Sequence, residues 1–137
     1  MELIQKLLQA GITNLSIGDT LGAADPDSVK RLLQLISEKI PPRDKNASPL
    51  EGIALHLHDT YKRALTNAQV GLEHGIEEFD TSAGGLGGCP FAPGARGNLD
   101  TAAFVEMLHG EGISTGIDLK EHRKVVDTLL SQMKKKN

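Results

Sequence analysis

The sequence lacks several features that would each indicate a particular class of protein. It has one cysteine, which cannot form a disulfide within the chain, so the composition fits a reducing compartment. It has no tryptophan and carries 15 basic against 18 acidic residues, with no basic stretch studded with aromatic side chains, which argues against nucleic-acid binding. No apolar segment approaches the roughly 20 residues that span a bilayer, so we expect no membrane partner.

The sequence does contain an alternation of helical and strand-like hydrophobic patterns. Its 137 residues are enough for one domain with a core. Strands that alternate with helices favour right-handed parallel crossovers, so we predict an α/β fold. Helices are expected over 1–10, 26–40, 62–73, 101–108 and 119–133, and strands over 15–17, 53–57 and 76–81.

Polar residues follow each predicted strand at its carboxyl end. Asp19 follows the first strand, His56 and His58 close the second, and the loop 82–98 follows the third. The carboxyl ends of the strands are where ligands bind in parallel α/β folds. We therefore expect these residues to share one site.

The pair His56 and His58 is the first candidate for chemistry. Residues two apart on a strand point to the same face, so both imidazoles leave the same side of the sheet. Such a pair can hold one metal ion, completed by carboxylate, amide or water oxygens. The alternative is one hydrogen-bonded core histidine and one surface histidine. The position at a strand end, beside a glycine-rich loop, favours the metal site.

The second candidate is the loop 82–98, which holds six glycines, two prolines and the cysteine Cys89. Ordering so many glycines is costly, and long loops of this kind are usually lids, binding loops or linkers. We interpret it as a mobile active-site loop carrying a thiol, although Cys89 could also be an inert small residue. Taken alone, Asn98 is more typical of an Asx turn or a helix cap, whereas Asp19 could equally cap its loop or contact a substrate.

Together these motifs resemble the 3-hydroxy-3-methylglutaryl-CoA lyase family. The resemblance spans about residues 12–130 and implies a partial TIM (β/α)8 barrel, made of about the last three βα units plus C-terminal helices. Residues 1–137 would then be the C-terminal portion of a single lyase domain. The matching runs are Leu15–Gly22, His56–Tyr61 (His-Leu-His-Asp-Thr-Tyr), Ala83–Ala92 (Ala-Gly-Gly-Leu-Gly-Gly-Cys-Pro-Phe-Ala), Gly94–Asn98 and Gly110–Gly116.

The resemblance also implies an activity and a role for each residue. The family cleaves 3-hydroxy-3-methylglutaryl-CoA to acetyl-CoA and acetoacetate with a divalent metal, Mg²⁺ or Mn²⁺. His56, His58 and Asn98 would be metal ligands, and His56 would also lie close enough to shuttle a proton. Cys89 would take part in proton transfer, and Asp19 would lie near the substrate at the barrel mouth. The implied partner is an acyl-CoA substrate, in the mitochondrial matrix of a eukaryote or the cytoplasm of a bacterium.

One departure from the family pattern limits what we expect of this chain alone. The family's first strand ends in an Arg-Asp pair, and the pair Arg43-Asp44 here lies instead in a polar loop after two prolines. We therefore expect a fragment or truncated product that is inactive alone and needs the missing barrel part, or forms a homo-oligomer. The alternatives are a related enzyme that condenses acyl-CoA with 2-oxo acids, and a non-catalytic metal-binding or interaction module.

Overall fold

The computed structural model describes residues 2–42, 44–88 and 97–134 and confirms the predicted α/β fold. Across these residues a three-stranded sheet is accompanied by five α-helices and a short 3₁₀ turn at Ala83–Gly85. The strands are β1 (Leu15–Asp19), β2 (Ile53–Leu57) and β3 (Glu78–Asp80), and the helices are α1 (Glu2–Gln9), α2 (Pro26–Lys39), α3 (Ala64–Glu73), α4 (Thr101–Gly110) and α5 (Leu119–Lys134).

All three strands run parallel, in the order β1-β2-β3. The register places Gly18 of β1 beside His56 of β2, and His56 beside Asp80 of β3. The carboxyl ends of the strands are therefore level, and the polar residues that follow them meet at one edge. Within the described part of the chain, no helix is both long and apolar enough to cross a membrane.

The core lies on one face of the sheet, against the helices. Ile53, Leu55 and Leu57 of β2 are buried there, in the same cluster as Leu33 and Ile36 of α2. These odd-numbered residues alternate with His56, which lies on the opposite face. Most of that opposite face is open: Ser16, Gly18, Glu78 and Asp80 are exposed, whereas Ala54 is buried.

Two predicted helix starts are confirmed by their caps. Asp25 accepts a hydrogen bond of 2.7 Å from the Ser28 amide before α2, and Asp100 accepts one of 3.3 Å from Ala102 before α4. Hydrogen bonds from the hydroxyl and the amide of Ser28 lower the pKa of Asp25. The cap therefore contributes stability above the ordinary carboxyl pKa, and this contribution is lost as the pH falls through the lowered value.

Two element boundaries differ from the sequence expectation for local reasons. Helix α3 begins at Ala64 rather than at residue 62, because Lys62 has a φ of 59° and cannot continue a right-handed helix. Strand β3 begins at Glu78 rather than at residue 76. The amide of Ile76 donates to the Gly71 carbonyl, so this residue closes the end of α3 instead of pairing in the sheet.

The loop after β1 packs tightly on the loop after β2. Gly22 has a φ of 63°, and its amide donates to the carbonyl of Asp19. A side-chain carbon at Gly22 would lie 2.5 Å from Thr60 Oγ1 and 2.9 Å from the carbonyl oxygen of His58. Glycine is therefore required here by both conformation and space, and the contact fixes the backbone of His58.

We predict that Gly22→Ala lowers the free energy of unfolding by about 2–5 kcal/mol, because it adds overpacking to left-handed backbone strain. Gly11→Ala is the matched control. Gly11 also has a positive φ, of 88°, but nothing lies within 4 Å of the added carbon. The control should cost only about 1–2 kcal/mol. Urea denaturation measures both values, and equal losses would contradict the close packing of the two loops.

Candidate metal centre

His56 near the end of β2 and His58 just after it converge at the carboxyl edge of the sheet, as their spacing predicted. His56 Nε2 and His58 Nε2 lie 3.1 Å apart, with the rings edge to face at 67°. Two ligand nitrogens bonded at about 2.1 Å and at right angles to one metal ion would be about 3.0 Å apart. The same distance suits a hydrogen bond between the rings when one Nε2 carries a proton.

Asn98 is brought to this pair by a short stretch of backbone. The amide of Leu99 donates to the Leu57 carbonyl at 2.9 Å, and the amide of Asp59 donates to the Gly97 carbonyl at 2.8 Å. These two bonds lie on either side of His58 and Asn98. The two residues therefore form a non-hydrogen-bonded antiparallel pair, in which neither backbone bonds to the other. Side chains in such pairs are close, with Cα atoms about 4.5 Å apart in general. The Asn98 amide thus adjoins the His58 imidazole.

The donor set at this edge fits a divalent cation. The Asn98 Nδ2 donates to the Leu86 carbonyl at 3.0 Å, and Oδ1 is buried with no hydrogen-bond partner among the described residues. A buried amide oxygen without a donor is an available oxygen ligand, and it belongs to the residue that pairs with His58. Within residues 2–42, 44–88 and 97–134, no cluster of three or more His, Cys, Asp or Glu could hold a metal. The site therefore depends on the asparagine.

The structure adds two residues that the sequence reasoning did not single out. Asp80 Oδ2 lies 3.4 Å from His56 Nδ1, and Ser16 Oγ donates to the same oxygen at 2.7 Å. Asp80 is the last residue of β3. Its position at the carboxyl end of a strand is therefore a sequence signal that could have identified it. Ser16 could not be found in this way, because it lies near the start of β1.

Asp19 lies on the other face of the sheet from His56. Its two carboxylate oxygens accept hydrogen bonds of 3.0 Å from the amides of Ala23 and Ala24. Its side chain lines a small cavity with Ile17 and Leu57 on the helix side of the sheet. These contacts match the loop-capping alternative, and the expected role near the substrate stays a prediction.

Two sequence candidates remain, namely Cys89 and the pair Arg43-Asp44. Cys89 lies outside the described residues, so its role stays a prediction; Gly88, which precedes it, is exposed. In the pair Arg43-Asp44, Arg43 also lies outside the described residues. Asp44 accepts a hydrogen bond of 2.8 Å from the amide of Asn46, which places it in a turn, as expected for a polar loop.

Gly97 holds the asparagine in place through the absence of a side chain. A carbon added at Gly97 would collide with the carbonyl oxygens of Gly85 and Gly87. These groups are backbone and cannot rotate away, so any larger residue must displace the segment that carries Asn98.

We predict that Gly97→Ala separates Asn98 from His58, and that nuclear Overhauser contacts between these two side chains disappear. Gly88→Ala in the same loop is the control, since nothing lies within 4 Å of its added carbon. The control should retain the contacts. Their survival in Gly97→Ala would show that the segment adapts and that its packing does not position the asparagine.

Comparison with known proteins identifies the family of this chain. Residues 1–129 match the HMGL-like family. The hydroxymethylglutaryl-CoA lyase of Pseudomonas mevalonii is 37% identical over 94% of this chain and 40% of that protein. The crystal structure of the HMG-CoA lyase from Brucella melitensis matches with a TM-score of 0.81 and 44% identity, over 96% of this chain and 44% of that one.

A third relative was solved with ligands. The HMG-CoA lyase from Acinetobacter baumannii, in complex with coenzyme A and 3-methylmalate, matches with a TM-score of 0.80 and 39% identity. That match covers 95% of this chain and 40% of the relative, so the chain spans about two fifths of the length of such proteins. A family match that runs through all three strands, and solved lyases that superpose on them, show that the chain belongs to the HMGL-like family and has the fold of part of a TIM barrel.

Proposed function

We propose that this chain contributes the His-His-Asn part of the active site of a hydroxymethylglutaryl-CoA lyase. The observation that carries the proposal is the 3.1 Å approach of His56 Nε2 to His58 Nε2. Asn98 pairs with His58, and its buried Oδ1 has no hydrogen-bond partner among the described residues. The substrate would be 3-hydroxy-3-methylglutaryl-CoA. Coenzyme A in the Acinetobacter relative supports an acyl-CoA ligand.

His56, His58 and Asn98 would hold a divalent cation, Mg²⁺ or Mn²⁺, through two nitrogens and one amide oxygen. Such a cation, when bound, polarises the substrate hydroxyl and lowers its pKa. The residues themselves keep the ligand atoms in place. The donor bond from Asn98 Nδ2 to Leu86 aims Oδ1, and the Leu99–Leu57 bond fixes the asparagine relative to β2.

The reaction breaks one carbon–carbon bond and moves one proton. The tertiary hydroxyl loses its proton to a base, the bond between C2 and C3 of the acyl chain breaks, and C3 becomes the ketone of acetoacetate. The electron pair passes to C2, the carbanion of acetyl-CoA, which then takes a proton. We assign proton transfer to the Cys89 thiol, and a positioned acid or base contributes typically 10²–10⁴-fold. With its Nε2 on the cation, His56 could pass a proton only through Nδ1.

In this proposal only a complete barrel has lyase activity. Over the described residues the sheet has three strands, whereas a TIM barrel has eight, so β1 and β3 each need a further parallel neighbour. The open face with Ser16, His56 and Asp80 would then become the barrel interior. We propose that residues 1–137 form the C-terminal portion of one lyase domain, completed by the remaining strands or by another chain.

The first prediction of the proposal is direct metal binding by this chain. Titration with Co²⁺, which favours imidazole nitrogen, should show one weak site, because three protein ligands are fewer than a tight site uses. His58→Ala should abolish it. His74→Ala is the control, since that ring bonds to the Val70 carbonyl at the end of α3. Unchanged affinity in His58→Ala would contradict the ligand assignment.

The second prediction concerns catalysis. The chain alone should not cleave 3-hydroxy-3-methylglutaryl-CoA, because its sheet is incomplete. A chimaera in which residues 1–129 replace the matching segment of the Pseudomonas lyase should cleave it in the presence of Mg²⁺. In the chimaera His58→Ala should lower kcat by at least about 10²-fold, whereas His74→Ala should not. A folded chimaera that condenses acetyl-CoA with a 2-oxo acid instead would contradict the lyase assignment.

The third prediction isolates the thiol in that chimaera. Cys89→Ser should lower kcat by at least about 10²-fold with little change in KM, because proton transfer acts on the transition state and not on binding. Cys89→Ala should be no more active than Cys89→Ser. A serine variant with near-normal kcat would leave Cys89 as a packing residue.

A further inference from the structure

A carboxylate and a hydroxyl lie behind His56, on the side away from His58. Asp80 is the register partner of His56 across β2 and β3, and Ser16 reaches the same carboxylate from β1. The single oxygen Asp80 Oδ2 accepts from Ser16 Oγ at 2.7 Å and faces His56 Nδ1 at 3.4 Å. Among the described residues, Asp80 supplies the one carboxylate oxygen within 4.0 Å of a ring nitrogen of His56.

We propose that Asp80, held by Ser16, is a positioning residue that keeps the proton of neutral His56 on Nδ1. The lone pair of His56 Nε2 then always points to His58 and the ligand position. The inference rests on the proposed function for its purpose. What it states about the structure is the position of one proton, on Nδ1 of the His56 ring.

The contact between the two rings makes the proposal more specific. With the proton of His56 on Nδ1, its Nε2 is an acceptor, and the 3.1 Å contact requires a proton on His58 Nε2. The Nδ1 of His58 is then bare. This agrees with its burial without a hydrogen-bond partner among the described residues, since an unpaired acceptor is tolerated more readily than an unpaired N–H. The two histidines thus carry opposite tautomers in the metal-free chain, and the proton on His58 Nε2 must leave that nitrogen before His58 can bind a cation through it.

The arrangement has a consequence for the strength of the site. A ligand histidine whose second nitrogen donates to a carboxylate is held in one tautomer and one ring orientation, and it is a more basic ligand. Loss of such a partner typically costs about 10–100-fold in metal affinity. The side chains of His56 and Asp80 are 38% and 51% exposed, so in this chain the pair is accessible to direct measurement.

The test is the tautomer of each histidine in the ¹⁵N-labelled chain, read from long-range ¹H–¹⁵N spectra at about pH 8.5, where an ordinary histidine is neutral. The native chain should show His56 protonated on Nδ1 and His58 on Nε2. Asp80→Ala should give His56 a mixture of tautomers, and Ser16→Ala should give a smaller change in the same direction. Asp80→Asn keeps an acceptor oxygen and should restore most of the native state.

Glu78→Ala is the matched control, because it removes a carboxylate from the same strand and the same face, two residues from Asp80. It should leave both tautomers and the Co²⁺ affinity unchanged, whereas Asp80→Ala should weaken Co²⁺ binding by at least about 10-fold. Amide dispersion in each spectrum confirms that the variant is folded.

Several outcomes would overturn the inference. A proton on His56 Nε2 in the native chain would do so, as would a tautomer that Asp80→Ala leaves unchanged. Equal effects of Asp80→Ala and Glu78→Ala would do the same. Native tautomers as predicted in a chain that binds no Co²⁺ would support the positioning role and contradict the proposed metal site, so the two failures are distinguishable.

Discussion

The candidate site depends on two backbone hydrogen bonds that attach the segment Gly97–Leu99 to the end of β2. The amide of Leu99 and the carbonyl of Gly97 bond to the residues on either side of His58. Leu99 is also 2% exposed and belongs to the core, so hydrophobic burial on one side holds Asn98 on the other. Asn98 lies beside His58 because its neighbours are packed and hydrogen-bonded to the end of β2.

The sheet register provides the second constraint. Because β1, β2 and β3 are parallel and in step, Ser16, His56 and Asp80 occupy one open face near the carboxyl edge. The hydrophobic residues Ile53, Leu55 and Leu57 of β2 alternate with His56 and His58, so the same stretch of chain contributes to the core on one face and to the site on the other. Mutations that disturb the core beneath β2 are therefore expected to disturb the ligand atoms as well.

The sequence predicted those parts of the structure that follow from local patterns. The bounds of β2 were correct to the residue, because five residues between two loops alternate clearly and end at His-Leu-His. The cap at Asp25 followed from Pro26 in the first helical turn. The start of β3 was placed too early, because Ile76 is as hydrophobic as a strand residue although its amide closes α3.

As with the fold, the sequence predicted those parts of the candidate site that follow from local patterns. The convergence of His56 and His58 follows from a two-residue period, and the approach of Asn98 was implied only by resemblance to a family. The link from Ser16 through Asp80 to His56 requires the register of three strands, which no short motif in the sequence specifies. The capping bonds of Asp19 require the turn at Gly22, whose conformation depends on contact with the next loop.

The central claim is that His56, His58 and Asn98 hold one divalent cation. Addition of substoichiometric Mn²⁺ to the ¹⁵N-labelled chain tests it most directly, because the paramagnetic ion broadens signals only from nearby nuclei. We expect selective broadening of the imidazole signals of His56 and His58 and of the Asn98 side-chain amide, with His74 and His109 unaffected. Broadening centred on other residues, or uniform broadening across the chain, would contradict it.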